Sequence, residues 1–442
     1  MNTPVRTSPV RHSDTADTRR DWKVIALIGI LHGSSHFYQL VLPSLYLSLN
    51  RDFGYSFAEL GFLATVFFVV SGVGQASSGF IVDHLGARPV MRFGLACLVV
   101  SAMLMSLAHS YPVFILAALI GGVGNCVFHP VDFSIINQNV SQRRLGHAFS
   151  IHGLSGNLGW ALTPVFITFF ILQTGSWRIA AAAAGCVLFV MFLLTFLGAS
   201  LLATPSNESE DSQSAAAQPG ASQAASAAQT GFATKLAMLL KNPALWGAFL
   251  FFALTSGAMS SVQNFTIPIL GSLYGIGKEW ASSALSLYMI SAGAGLLIGG
   301  FLAGSTDRTE RIVAASLATS GTVFIFLAMG GLPSGLAVAG LCVAGFLSGM
   351  AGPSRDMLVR RVTPKGALGS VYGLVYSGMD VGSALGPVLF GFMLDHQTFR
   401  GPWVISGFAL YGAVLAAFGV AYCARKQERV GAVAPEREAK AA

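Results

Sequence analysis

The sequence predicts an all-α integral membrane protein: twelve membrane-crossing helices in two pseudo-symmetric bundles of six. Three observations predict this. Of its 442 residues, 53% are hydrophobic and only 10% charged, with a mean hydropathy of +0.65; soluble domains carry about 25% charged residues. The apolar runs are continuous and longer than the roughly ten-residue alternating segments that a membrane barrel uses, so helices are expected. Finally, the chain repeats itself. Pro130, Gly146, Gly159 and Pro164 recur as Pro353, Gly369, Gly382 and Pro387, each 223 positions further on, and Gly146 to Pro164 aligns without a gap on Gly369 to Pro387.

Residues 1–23 are polar, carry Asp14 and Asp17, and read as a cytoplasmic tail rather than a cleavable leader. Apolar runs near 24–49, 57–82, 93–108, 112–138, 146–172 and 179–203 form a first set of six spans. A second set follows near 244–270, 280–302, 312–331, 336–359, 367–394 and 404–424, and a cytoplasmic tail at 425–442. Between the bundles (24–203 and 244–424) lies 204–243, whose Ala/Ser/Gln-rich start has no apolar periodicity and reads as a cytoplasmic linker.

The net charge of +7 does not signal nucleic acid. Its basic residues gather at the two tails and at alternate turns, while the other turns hold only Arg51, Arg178, Lys278 and Arg400. That asymmetry follows the positive-inside rule, placing both termini in the cytoplasm and requiring an even number of spans. The five cysteines lie scattered in apolar runs, with no disulfide or zinc spacing. Fifty-one glycines suit close helix packing. A duplicated, proline-interrupted helical domain is the architecture of a secondary transporter.

Twelve spans, a 6+6 duplication and a long central loop resemble the major facilitator superfamily. After the second span, Gly79-Phe80-Ile81-Val82-Asp83-His84-Leu85-Gly86-Ala87-Arg88 resembles its G-x-x-x-D-[RK]-x-G-[RK]-[RK] loop, with His84 and Ala87 where basic residues are usual. A degenerate copy, Ala303 to Arg308, follows the eighth span. Within the superfamily, Val127 to Pro130 and Gly156 to Pro164 resemble the fosmidomycin-resistance-protein group of drug exporters. That group usually has an acid directly after the His-Pro; here Val131 stands there and Asp132 comes one place later, which turns the carboxylate by about 100°.

An ionisable side chain at bilayer depth costs at least ~2.5–3.5 kcal/mol on insertion scales, so it faces a partner or a wet path. His32, His36, Gln39 and Pro43 share one stripe of the first span; by the resemblance it faces the substrate path. Structural hydrogen bonding is the alternative, and chelation lacks a third ligand nearby in the sequence. Asn125, His129 and Asp132 flank Pro130 in the fourth span. They suit a proton carrier, although by resemblance Asp132 could equally latch onto Arg88 or Arg92. The fifth span adds His152 and Asn157 among glycines expected to pack on the other half.

In the second half, Gln263 and Asn264 lie on a polar stripe, and Asp380 sits near mid-membrane with Tyr376 on its face. Arg355 beside Asp356, close to Asp307 and Arg308, suits a cytoplasmic gate network with Asp83, Arg88 and Arg92; anion binding by Arg355 is the other use.

The implied mechanism is alternating access, with two bundles rocking about a central site. Proton-coupled export of a small toxic or drug-like compound follows from the subgroup resemblance. The alternatives are a proton-symporting importer of a small organic acid and, in another class, a non-transporting receptor. Partners are then a small molecule, protons and lipid, in a monomer of a bacterial inner membrane, with no nucleic acid, cofactor or resident metal. Enzyme motifs such as H-E-x-x-H or G-x-S-x-G are absent from the sequence.

Overall fold

The computed structural model describes residues 13–203, 242–306, 308–362 and 368–441. Its helices are α1 (Ser13–Gln39), α2 (Val41–Phe53), α3 (Phe57–Leu85), α4 (Ala87–Leu107), α5 (Tyr111–Asn125), α6 (Phe128–Asn139), α7 (Leu145–Thr174) and α8 (Trp177–Leu197). The second half holds α9 (Pro243–Tyr274), α10 (Lys278–Gly304), α11 (Thr309–Met329), α12 (Ser334–Val362), α13 (Leu368–Asp395) and α14 (Gly401–Ala441). Joining α1 to α2 and α5 to α6, twelve spans among the described residues are long and apolar enough to cross a bilayer. The chain is an all-helical integral membrane protein.

Helices are the expected solution because every backbone N–H and C=O in lipid needs an internal partner. Two spans break just ahead of a proline. Pro43 and Pro130 lack a donor and crowd the carbonyl four residues back, and the breaks fall at Leu40 and at Cys126–Val127. Pro353, at the position matching Pro130, lies inside a continuous α12, so the duplication does not extend to this break.

The repeated glycines do the same work in each half. A Cβ on Gly159 would overlap the Gly33 carbonyl oxygen, and one on Gly382 would overlap that of Ala253. Each bare Cα therefore lets the fifth helix of its half press onto the first, α7 on α1 and α13 on α9. This corrects the expectation that the α7 glycines pack on the other half. Gly156 faces His36 and Gly159 faces Gly33, both in α1; Gly153 alone of the three approaches the other half, at Leu296.

The halves meet along α3–α13 and α7–α10. Cross-half hydrogen bonds among the described residues lie in the part of the bundle distal to the chain termini. Tyr46 Oη donates to Asn264 Oδ1 (3.1 Å), Thr168 Oγ1 to Ser282 Oγ (2.8 Å), and Thr65 Oγ1 to the Ala384 carbonyl. At the distal rim, Phe57 N and Ala58 N donate to the Asp395 carboxylate at 2.7 and 2.8 Å. Asp395, at the end of α13, thus satisfies the free N–H groups that open α3 and meets the positive end of its dipole.

The α1 helix begins at Ser13, within the stretch read as an N-terminal tail, and α14 runs through the C-terminal one. The linker, apart from Asn242 and Pro243, lies outside the described residues, as does Asp307.

Candidate functional site

The first half gathers its ionisable residues at one place. The kinks ahead of Pro43 and Pro130 bend the first and fourth spans there, and the Gly156 and Gly159 surface of α7 brings α7 close enough to join them. Asp132 is wholly buried, and as a carboxylate its Oδ2 accepts from His32 Nδ1 (2.9 Å) and from His152 Nε2 (3.1 Å). The rings of His32 and His152 stack at 3.5 Å between centroids. The His129 ring is 5.3 Å from that of His32, and the His36 ring lies 4.5 Å from His32 and 6.3 Å from His129. Four histidines and one carboxylate, from three spans, form a single cluster.

Next to it runs a neutral chain of hydrogen bonds. Trp160 Nε1 donates to Gln39 Oε1 (3.0 Å), Gln39 Nε2 to Asn125 Oδ1 (3.0 Å), and Asn125 Nδ2 to Ser71 Oγ (2.8 Å). The two constellations join where His36 packs on Trp160, 4.3 Å between ring centroids. His32, His36, Gln39, Asn125, His129, Asp132 and His152 therefore come together from separate stripes, as one titratable and one neutral element.

The one-place shift of the acid resolves simply. Val131 points into the apolar core, fully buried, and Asp132 turns to the histidines. In this arrangement its Oδ2 partners are His32 and His152 rather than Arg88 or Arg92. Arg92 instead donates to Thr195 Oγ1 (3.3 Å) and the Thr195 carbonyl (3.2 Å) and lies over the Phe196 ring, all within the first half.

Asn157 donates to the Gly153 carbonyl inside α7, on the helix facing Gly293 of α10. Asn264 donates to the Ser260 carbonyl and accepts from Tyr46; Gln263 is buried beside it. Asp380 lies against Gly72 of α3, where a Cβ would come within 2.7 Å of its own Cβ, so this carboxylate is set into the seam between the halves. Tyr376 turns away from it, donating to Asp356 Oδ1 at 3.5 Å and packing on Phe252.

The expected gate residues divide. Arg355 pairs with Asp356 (2.8 Å) and lies over Phe252, so this pair forms within the second half. Asp83 is exposed, the Arg88 Nε is buried without a hydrogen-bond partner, and Arg308 is exposed beside Thr306. The cross-half latch that does form, Asp395 on α3, was not singled out from the sequence. Its position in the first half is Leu172, so the repeat gives no signal for it.

Chelation was set aside because no further ligand stands near His32 and His36 along the chain. In space the folding of α6 and α7 supplies them: ring nitrogens of His32, His129 and His152 all lie within 4.8 Å of one another.

Comparison with known proteins agrees with this architecture. A solved bacterial homologue of the human lysosomal transporter Spinster, described as inward-facing and unoccupied, superposes with a TM-score of 0.68 at 15% identity, covering 92% of this chain and 97% of that one. The Escherichia coli fosmidomycin resistance protein is 25% identical over 181 residues, 41% of this chain and 44% of that protein. The Bacillus subtilis protein YfnC, an uncharacterized MFS-type transporter, is 25% identical over 173 residues, 39% of this chain and 42% of its own length. The chain thus matches less than half the length of either relative. The profile of the Major Facilitator Superfamily matches residues 26–354 and 254–441, and with twelve spans in two related bundles this chain belongs to that superfamily.

Proposed function

We propose that the chain is a proton-coupled exporter of a small toxic or drug-like compound, working by alternating access in a bacterial inner membrane with both termini in the cytoplasm. The observation that carries this reading is the placement of ionisable groups on both sides of the seam: the buried Asp132–histidine cluster in one half and the half-buried Asp380 in the other. Such groups are costly in a bilayer and are retained where an ion or a polar solute passes.

The distal bonds at Asp395, Tyr46 and Thr168 hold the halves together at the periplasmic end, which supports a passage open toward the cytoplasm. The compound enters there and meets the neutral chain Trp160–Gln39–Asn125 beside the histidines. A proton at Asp380, pressed between α3 and α13, changes the energy gap between the two arrangements. It does so only by as much as it binds one arrangement better than the other. Export of a toxic compound is supported by the match to the fosmidomycin resistance protein. Fold alone does not choose a substrate.

Drug susceptibility of cells with and without the gene tests the direction. Export predicts raised resistance when the gene is present, with fosmidomycin in the panel. Unchanged resistance to the whole panel, with loss of growth on one organic acid when the gene is removed, contradicts export and establishes uptake.

A further inference from the structure

We infer that His32, His129 and His152 form a binding site for a divalent transition-metal ion of the zinc class, within the path described above and beside the Asp132 carboxylate. The donor set is the first reason. Three imidazoles are a nitrogen set with which zinc completes four-coordination by a water, and imidazole suits zinc, nickel and copper alike. The three ring nitrogens lie within 4.8 Å of one another. Zinc holds such nitrogens at ~2.0–2.1 Å, hence about 3.4 Å apart, so binding needs ring movements of roughly 1 Å.

Unused valence at the centre of the cluster is the second reason. Asp132 Oδ1 and His129 Nδ1 are buried without a hydrogen-bond partner, and a native interior leaves few polar atoms so. His32 Nδ1 and His152 Nε2 both aim at the single oxygen Asp132 Oδ2. A cation there replaces two N–H···O contacts with direct coordination and engages the idle His129 nitrogen. Asp132 offsets one of its two charges.

Access is the third. His32 and His152 are buried, whereas His129 is half-buried with its Nδ1 covered, so an ion reaches the other rings past a turn of the His129 side chain. All three ligands come from the first half, on the spans of α1, α6 and α7, so the site can form without the second half moving. An ion there would tie those spans together and slow the transport cycle. This last consequence rests on the proposed transport reading; ion binding itself does not.

The test is calorimetric titration of zinc chloride into the full chain in detergent, with any affinity tag removed. Saturable binding of one ion per chain is expected. His129→Gln, His152→Ala and Asp132→Asn should each weaken it by at least ~10-fold, while His396→Gln, at an exposed position, leaves it unchanged. Thermal melting guards against misfolded variants: zinc should raise the melting temperature of the parent protein and do so less for folded His129→Gln. Cobalt(II) should give the visible absorption of a tetrahedral nitrogen/oxygen site. No saturable heat, or an affinity that survives all three substitutions, overturns the site. A chain that carries solute on a proton gradient but binds no zinc keeps the transport reading and loses the ion site; zinc binding without proton-driven transport does the reverse.

Discussion

Replacing Asp395 by Asn should release the halves at their distal rim. In the structure its carboxylate accepts from Phe57 N and Ala58 N at 2.7 and 2.8 Å, the first two backbone donors of α3. Hydrogen bonds to a charged group are worth about 1.5–3 kcal/mol each, and a charge at a partly buried helix start up to about 2 kcal/mol. Asn keeps one acceptor and gives up the charge. A second acceptor for α3, Ser56 Oγ, remains in place and takes the Glu59 N–H. The net loss is therefore about 1–3 kcal/mol, which moves a two-state equilibrium roughly 5–150-fold. Spin labels on Arg51→Cys and Lys278→Cys, in a background without native cysteines, report the separation of the distal ends by pulsed electron resonance. The parent protein should show mainly the short distance; Asp395→Asn should add a long-distance population at its expense. An unchanged distribution would refute the claim that this contact closes the distal end.

Three further outcomes follow from the packing. Gly159→Ala and Gly382→Ala should each lower the melting temperature in detergent by comparable amounts, at an overpacking cost of about 1–3 kcal/mol, because each added methyl meets a backbone carbonyl; tolerance of both would show that the close approach of first and fifth helices is not needed. Asp132→Leu should destabilise by about 1–3 kcal/mol by stranding the ring N–H groups of His32 and His152, and Asp132→Asn by less, since it keeps an acceptor; equal losses in melting experiments would argue against the shared hydrogen bond. Gly72→Ala should push α3 from α13 at Asp380 and reduce the transport rate in vesicles more than it reduces thermal stability; a normal rate would separate Asp380 from the moving seam.

The fold was legible because its signals need no tertiary contact. Apolar runs are read from one stretch of chain, and the charge at the turns and the repeated Gly/Pro pattern by comparing stretches, with no knowledge of what touches what. The first-half site was half legible: helical spacing put His32 with His36 and His129 with Asp132. Their union with His152 depends on α7 lying against α1 through Gly156 and Gly159, a contact between segments more than a hundred residues apart. Spacing along the chain does not show the approach of His129 and His152 to His32 for the same reason. Partner choice was the least readable. The sequence offered Asp132 an arginine, and packing gave it two imidazoles; it placed Tyr376 with Asp380, and the structure pairs it with Asp356. Asp395 went unnoticed because its role is set by the start of α3, far away in sequence, and its repeat position is apolar.

Coupling is tested most directly with the purified chain in liposomes, following fosmidomycin movement under an imposed proton gradient. The account predicts flux into the more acidic compartment that collapses when the gradient is removed and is strongly reduced in Asp380→Asn. Flux indifferent to the gradient, and equal in Asp380→Asn and the parent protein, would contradict it.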